Sequence, residues 1–277
     1  MTKTILITGS TDGIGLETAK IFSEQGHTVL LHGRSETKLE QAKDTIENAH
    51  IQKSEVKTYC ADLSDIAEVT KLADAIARDH KQLDCLINNA GVLKVPEPLT
   101  EDGLDVRFVV NTYAPYILTQ RLFPLMKTSG RILNLSSAAQ APIDLRALSG
   151  HPIQMTDMGA YAQSKLAITM WSQYMAQNIA KELGQKGPVV LAVNPGSLLA
   201  SKMVKDGFGV QGNDLRIGAD ILVQLALEPE YQHGSGQYFD NDKGHFAEPH
   251  SDALDPQKVD AVMRAMKETI QENWPTA

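Results

Sequence analysis

Apolar residues follow two alternating rhythms along this chain. Short, almost continuously apolar runs at Thr4–Thr8, Thr28–His32, Val56–Cys60, Cys85–Asn88, Arg131–Leu135, Val189–Asn194 and Gln237–Asp240 predict strands buried on both faces. Between them, apolar positions three and four residues apart predict helices over Ile14–Gln25, Glu36–Asn48, Ile66–His80, Gly103–Met126, Gly159–Leu183 and Leu215–Leu227. A last helix, about Pro256–Glu272, is expected to cover an edge. The alternation runs without a Pro/Ser-rich linker, a repeat or a low-complexity tract. It predicts an α/β fold in one domain over residues 1–277, a doubly wound parallel sheet of about seven strands with helices on both faces.

Two segments break the rhythm. Residues 138–158 contain Pro142, Gly150 and Pro152, and residues 197–214 contain Gly207, Gly209 and Gly212. Both follow predicted strands at the carboxyl edge, where open α/β sheets bind ligands, so the first is expected to be a substrate loop and the second a lid. Leu198, Leu199, Met203, Val204 and Phe208 are the lid's apolar side chains, with Gly207 and Gly209 as candidate hinges.

Composition narrows the partners. Thirty-four acidic against 26 basic residues give a net charge of −8, without the basic run that phosphate-backbone binding needs, so nucleic acid is not an expected partner. No apolar window reaches the roughly 20 residues of a membrane span, and the Ile5-Leu6-Ile7 opening has no signal-peptide core behind it; the expected location is cytoplasmic. Cys60 and Cys85 lack metal-ligand spacing and are expected to be core thiols. His233, His245 and His250 have no paired spacing, and Asp240–Gly244 lacks the ordered ligands of a calcium loop, so no metal site is expected.

The chemistry gathers at predicted strand ends. The first strand runs into Gly9, Ser10, Thr11, Asp12, Gly13, Ile14 and Gly15 and then directly into a helix, a turn whose backbone can approach a pyrophosphate at the positive helix terminus. The second strand ends at His32-Gly33-Arg34, with no carboxylate for a ribose 2′-hydroxyl. Arg34 can pair with a 2′-phosphate instead, which favours NADP(H) and leaves NAD(H) possible. Asp12 opposes that preference. Asp62-Leu63 and Asn88-Asn89-Ala90-Gly91 end the third and fourth strands, where small and amide side chains let a planar base approach. Tyr161 and Lys165 are one helical turn apart, so an ammonium can favour the ionised phenol. Ser136-Ser137 presents a hydroxyl at the same edge, outside any G-x-S-x-G hydrolase arrangement. Taken singly, each feature also has a structural reading: a βα turn, a solvated arginine, a helix cap, an amphipathic face.

Taken together, Thr-Gly-x-x-x-Gly-Ile-Gly, Asn-Asn-Ala-Gly, the strand-end serine, Tyr-x-x-x-Lys and Asn194-Pro195-Gly196 resemble the classical short-chain dehydrogenase/reductase family, over about residues 3–240. The 24 positions from Ser137 to Tyr161, and Ala-Tyr-x-Gln-Ser-Lys-Leu-Ala, are similar to retinol-dehydrogenase-like and WW-domain-oxidoreductase-like members. The resemblance implies a Rossmann-fold oxidoreductase interconverting a ketone or aldehyde and an alcohol, assembled as a homodimer or homotetramer. It implies Tyr161 as general acid, Lys165 on the nicotinamide ribose, Ser137 polarising the carbonyl and Asn111 completing a tetrad. Gly91, Pro195, Gly196 and Leu198 complete the implied cofactor contacts, and Ala200 stands where the family often has threonine, with Ser201 one residue on. The residues add a reason for Asn111: Pro115, four positions later, lacks the N–H that its carbonyl would accept, freeing that oxygen for water. Met170, Trp171, Tyr174 and Met175 read as core or as a subunit interface; Asp144, Arg146 and His151 read as substrate contacts or as a solvated loop face. The alternatives are a nucleotide-binding regulator without turnover, and an epimerase or dehydratase.

Overall fold

The computed structural model describes residues 1–49, 54–151 and 153–277; Pro152 of the predicted substrate loop and the side chain of Phe208 lie outside the described residues. The seven predicted strands form as β1 (Thr4–Ile7), β2 (Thr28–Gly33), β3 (Val56–Cys60), β4 (Leu83–Asn88), β5 (Met126–Leu135), β6 (Val189–Asn194) and β7 (Tyr238–Asp240). An eighth, β8 (His245–Ala247), folds back antiparallel on β7, and the sheet order is β3-β2-β1-β4-β5-β6-β7-β8 with every other pairing parallel. Neighbouring strand residues point to opposite faces: Leu6, Leu30, Leu86 and Val190 join one apolar cluster, and Ile5, Ile7, Leu31, Ile87 and Leu191 the other. Both faces are dry, which accounts for the unbroken apolar runs.

Helices α1 (Gly13–Glu24) and α2 (Glu36–Ala49) cover the second cluster, and α3 (Ile66–Asp79) the first. The single helix predicted over Gly103–Met126 is corrected. It divides into α4 (Val106–Phe108), a π-helical turn (Val109–Tyr113), α5 (Ala114–Leu122) and a 3₁₀ turn, and Met126 already belongs to β5. The π turn has a physical cause in Pro115, which cannot complete the α-helical bond to the Asn111 carbonyl.

Residues 138–158 hold a short helix, α6 (Leu145–Leu148), and α7 (Asp157–Leu183) begins two residues before the predicted start. The predicted lid contains α8 (Lys202–Phe208), and α9 (Leu215–Leu227) follows. The last helix, α10 (Pro256–Asn273), packs against α7 and α6 rather than against a sheet edge. Its Val259, Val262 and Met266 bury the α7 residues Met170, Trp171 and Met175 in one core, and Lys267 Nζ sits 4.9 Å from the Tyr174 ring centre. That α7 cluster is therefore core within the chain.

Cys85 is buried, and burial pushes its thiol up to about 12. Cys60 is exposed, correcting the expectation of two core thiols: it ends the edge strand β3. No helix among the described residues is long and apolar enough to cross a membrane, and none of their His, Cys, Asp and Glu side chains gather in threes as metal ligands.

Candidate active site

A cleft of about 990 Å³ runs along the carboxyl edge of the sheet, from Arg34 and Lys38 at one end to Tyr161 and Lys165 at the other. Its floor is the turn after β1. Gly9 has a φ of +63°, and a Cβ there would stand 2.8 Å from the Ala90 Cα, so only glycine fits. A Cβ at Gly15 would come within 2.5 Å of Asn89 Nδ2, and of the Gly9 carbonyl oxygen. Asp65, Asp105, Asp144, Asp214 and Asp255 each cap a helix through the side chain, whereas Asp12, heading α1, makes no such bond. The first N–H groups of α1 thus remain available to an anion in the cleft.

Buried polar side chains hold this turn. Thr8 Oγ1 accepts the backbone N–H groups of Asn89 and Ala90, each at 3.0 Å, while Asn89 Nδ2 donates to the carbonyls of Thr8 (2.8 Å) and Gly9 (2.9 Å). His32 Nδ1 accepts from Gly9 N–H at 3.2 Å, and Nε2 donates to the Ala61 carbonyl at 3.1 Å. Those partners fix the tautomer, and burial lowers the imidazole pKa to about 4, so the ring is neutral. Ser10 is fully buried, bonds the Ile7 carbonyl and accepts from His32 N–H; it braces the turn and does not line the cleft. Thr8 and His32 had no role in the sequence reading. Their signal is a polar residue closing an apolar strand at its carboxyl end.

At the far end, Tyr161 and Lys165 project from α7 beneath the end of β5. Lys165 Nζ donates to the Leu135 carbonyl at 2.6 Å and lies 5.5 Å from the centre of the Tyr161 ring. Burial lowers the Lys165 pKa to about 7; burial raises that of Tyr161, opposed by a hydrogen bond with the Ser137 side chain. The two serines differ in their partners: Ser136 is spent on the Lys165 carbonyl (2.9 Å) and Thr169 (2.7 Å), whereas Ser137 Oγ accepts from Ala139 N–H at 3.1 Å and opposes the rise in the Tyr161 pKa. Tyr238 of β7 donates to the Ser137 carbonyl at 3.0 Å and anchors that corner.

Asn111 lies fully buried in the π turn, exchanging bonds of 2.8 and 2.9 Å with the backbone of Val92 and donating to Ser164 at 2.9 Å. Of the remaining expected residues, Thr11, Asp12, Gly13, Ile14, Asp62, Leu63, Asn89, Ala90, Gly91 and Pro195 line the cleft; Gly15, Asn111, Ser137, Gly196 and Leu198 stand behind or beside it. Leu198 is exposed, with a φ of +51°. Ser201 lines the cleft while Ala200 does not. Asp242, in the acidic turn set aside as a calcium loop, accepts from Asn194 (2.9 Å) and Ser197 N–H (2.8 Å), pinning the Pro195 corner.

The model of short chain dehydrogenases matches residues 3–208. The chain belongs to the short-chain dehydrogenase family. Human retinol dehydrogenase 13 is 30% identical over 256 residues, covering 86% of this chain and 76% of that protein. Retinol dehydrogenase 12 of Bos taurus is 32% identical over 262 residues, covering 89% and 80%. Among solved structures, the landomycin C-6 ketoreductase LanV with bound NADP and rabelomycin superposes with a TM-score of 0.67 at 26% identity, over 86% of this chain and 94% of that one. An uncharacterised Mycobacterium paratuberculosis protein, 24% identical, gives 0.79 over 97% and 93%, a likeness of fold.

Within this short-chain dehydrogenase, the first irregular segment follows the solvated-face alternative. Asp144 caps α6 at 2.9 Å, and Asp144, Arg146 and His151 are exposed and stand outside the cleft lining. Gly207 is not a hinge: it lies inside α8, where a Cβ would meet Leu93 Cδ2 at 2.6 Å. Gly209, with a φ of +68° at the end of α8, does have the conformation of a pivot.

Proposed function

We propose that this short-chain dehydrogenase interconverts a small-molecule ketone or aldehyde and the corresponding alcohol, with NADP(H) preferred over NAD(H). The observation that carries the reading is the pairing of Tyr161 and Lys165 at one end of a cleft, with Ser137 beside that end, and a glycine turn near two cations at the other. The residues fit a dinucleotide: Gly9 and Gly15 tolerate no Cβ, and the N-terminus of α1 is left uncapped by Asp12. Arg34 and Lys38, set beside the carboxylates of Asp12 and Asp62, are the cations available to a 2′-phosphate. When bound, the nicotinamide supplies or accepts the hydride.

The chain's own residues do the rest. Ser137 holds the substrate oxygen and keeps it on the phenol side. Tyr161 gives that oxygen a proton in reduction and takes one in oxidation. A charged Lys165 stabilises the phenolate and binds ribose hydroxyls. The Asn111 carbonyl, disengaged by Pro115, offers a site for a water leading protons to Lys165. Positioning and charge, without a covalent intermediate, lower the barrier. The expected homodimer or homotetramer would use surface other than the apolar α7 face that α10 covers.

The test is NADPH and NADH oxidation against a panel of aldehydes and ketones, with Arg34→Asp beside the unaltered chain. Turnover with NADPH preferred, and an NADP affinity lowered by about 1.5–3 kcal/mol in the variant with NAD little changed, is expected. Tight cofactor binding without turnover on any carbonyl would favour the regulator, and equal losses for both cofactors would remove Arg34 from the site.

A further inference from the structure

Among the charged groups of the cleft that have no part in this chemistry, Asp157 stands nearest Tyr161 in its helix. Asp157 lines the cleft as the first residue of α7, four residues before Tyr161. Positions four apart share a helix face and are separated by about 6 Å along the axis. Beneath Asp157 lies Arg107, whose side chain is 3% exposed. Its guanidinium takes Asp105 in a two-pronged pair, Nε to Oδ1 at 2.8 Å and Nη2 to Oδ2 at 2.6 Å, and donates from Nη1 to Asp157 Oδ1.

Two carboxylates thus share one guanidinium, and the trio carries an excess negative charge. Asp105 is 10% exposed and Asp157 47%, so the excess is presented by Asp157. Arg107 also fixes which oxygen is free. With Oδ1 held from below, Oδ2 is the acceptor left for the cleft, and swinging the carboxylate away breaks a charge-assisted bond to the buried Arg107. The surroundings are largely apolar, with Val92, Val95, Val106, Val110 and Met203, and the charged residues interspersed among them are Lys94, Lys202 and Asp206. An acceptor held in place beside a largely apolar wall discriminates, because a ligand without a donor covers Oδ2 without pairing it, and a ligand carboxylate repels it.

We propose that Asp157 is a substrate-selecting residue that accepts a hydrogen bond from a hydroxyl or ammonium group about 6 Å, one helical turn, from the reacting carbonyl on an otherwise apolar skeleton. The substrate class is therefore hydroxy- or amino-ketones or aldehydes and the matching alcohols, not carboxylates. This rests on the carbonyl-reduction reading, and its test separates the two.

Four ketones sharing one apolar skeleton would be compared, carrying at that distance a methyl, a hydroxyl, an ammonium or a carboxylate group. In the full chain with NADPH, kcat/KM for the ammonium ketone is expected to exceed that for the methyl ketone by about ten-fold, with the carboxylate ketone lowest. Asp157→Asn keeps an oxygen for Arg107 and removes the charge; it should bring the ammonium-to-methyl ratio close to one. Calorimetric binding of the same ketones supplies the independent readout. If none is turned over but ammonium binding is tighter than methyl binding and loses that advantage in Asp157→Asn, the selecting role stands and the redox reading falls. An unchanged ratio in the variant, in turnover or binding, overturns the proposal. So does a preference for the carboxylate ketone, which would assign selection to Lys94 on the same lining.

Discussion

The two ends of the cleft are built on different principles. At the nucleotide end, Thr8, His32 and Asn89 tie together backbone from β1, β2 and β4 with partly buried bonds between residues 23 to 82 positions apart. At the substrate end, short-range bonds shape the loops, Asp144 capping α6 two residues on and the Ala200 and Asn213 N–H groups donating to the carbonyls of Asn213 and Leu198 at 2.7 and 2.6 Å. A few longer bonds fasten them to the body, such as Asp242 to Ser197 N–H at 2.8 Å. The first end cannot change without disturbing the sheet. The second can be rebuilt loop by loop, which is how one framework serves many substrates.

The largest expected effect lies where the ends meet. Tyr161→Phe removes only the hydroxyl bonded to Ser137, so kcat should fall by about 10²–10⁴-fold while calorimetric cofactor affinity is nearly kept. Near-normal turnover would break the proposed division between binding and chemistry.

Next is Lys165→Met, read by denaturation as a function of pH. The folded pKa of about 7 lies below the ordinary lysine value of 10.5, so between these values the unfolded chain holds the extra proton. Burial of Lys165 therefore costs stability in full below about pH 7, and the cost fades as pH approaches 10.5. The variant should gain on the order of 4 kcal/mol at pH 6, less about 1 kcal/mol for the unpaired Leu135 carbonyl, with no such gain by pH 10.5. A gain independent of pH would mean that Lys165 is not desolvated.

Two glycine variants sharpen the comparison directly. Gly9 and Gly209 share a left-handed backbone, with φ of +63° and +68°, but only Gly9 is hemmed in, by Ala90. Gly9→Val should cost about 2–5 kcal/mol in urea denaturation, combining backbone strain and overpacking. Gly209→Ala, with nothing within 4 Å of its Cβ, should cost roughly 1–2 kcal/mol and act mainly on hydrogen exchange within 202–213. Equal costs would erase the contrast between a turn locked by the sheet and a pivot in a loop.

Periodicity located the strands because both faces of the central ones are covered and most of their side chains had to be apolar. It failed over Gly103–Met126, where three- and four-residue spacing continues through a π turn and into the start of β5. Pro115 carried the signal of a broken bond at Asn111, but a missing N–H does not say whether the helix kinks, stops or widens. Cys60 misled for a related reason: its run reads as a buried strand, and only the sheet order makes β3 an edge. Ser137 was separable from Ser136 by motif, and the packing supplies the cause, since one hydroxyl is consumed by the backbone of α7.

What the sequence determined by itself was what depends on local geometry: the alternation of strand and helix, the glycine-rich turn between β1 and α1, and the one-turn spacing of Tyr161 and Lys165. The tertiary structure alone decided what depends on groups distant in the chain. It made His32 a neutral brace between Gly9 and Ala61, joined Arg107 to Asp157 fifty positions away, and spent the apolar face of α7 on α10. The physical reason is that burial and pairing set the charge and freedom of a polar side chain, and both are properties of its neighbours in space.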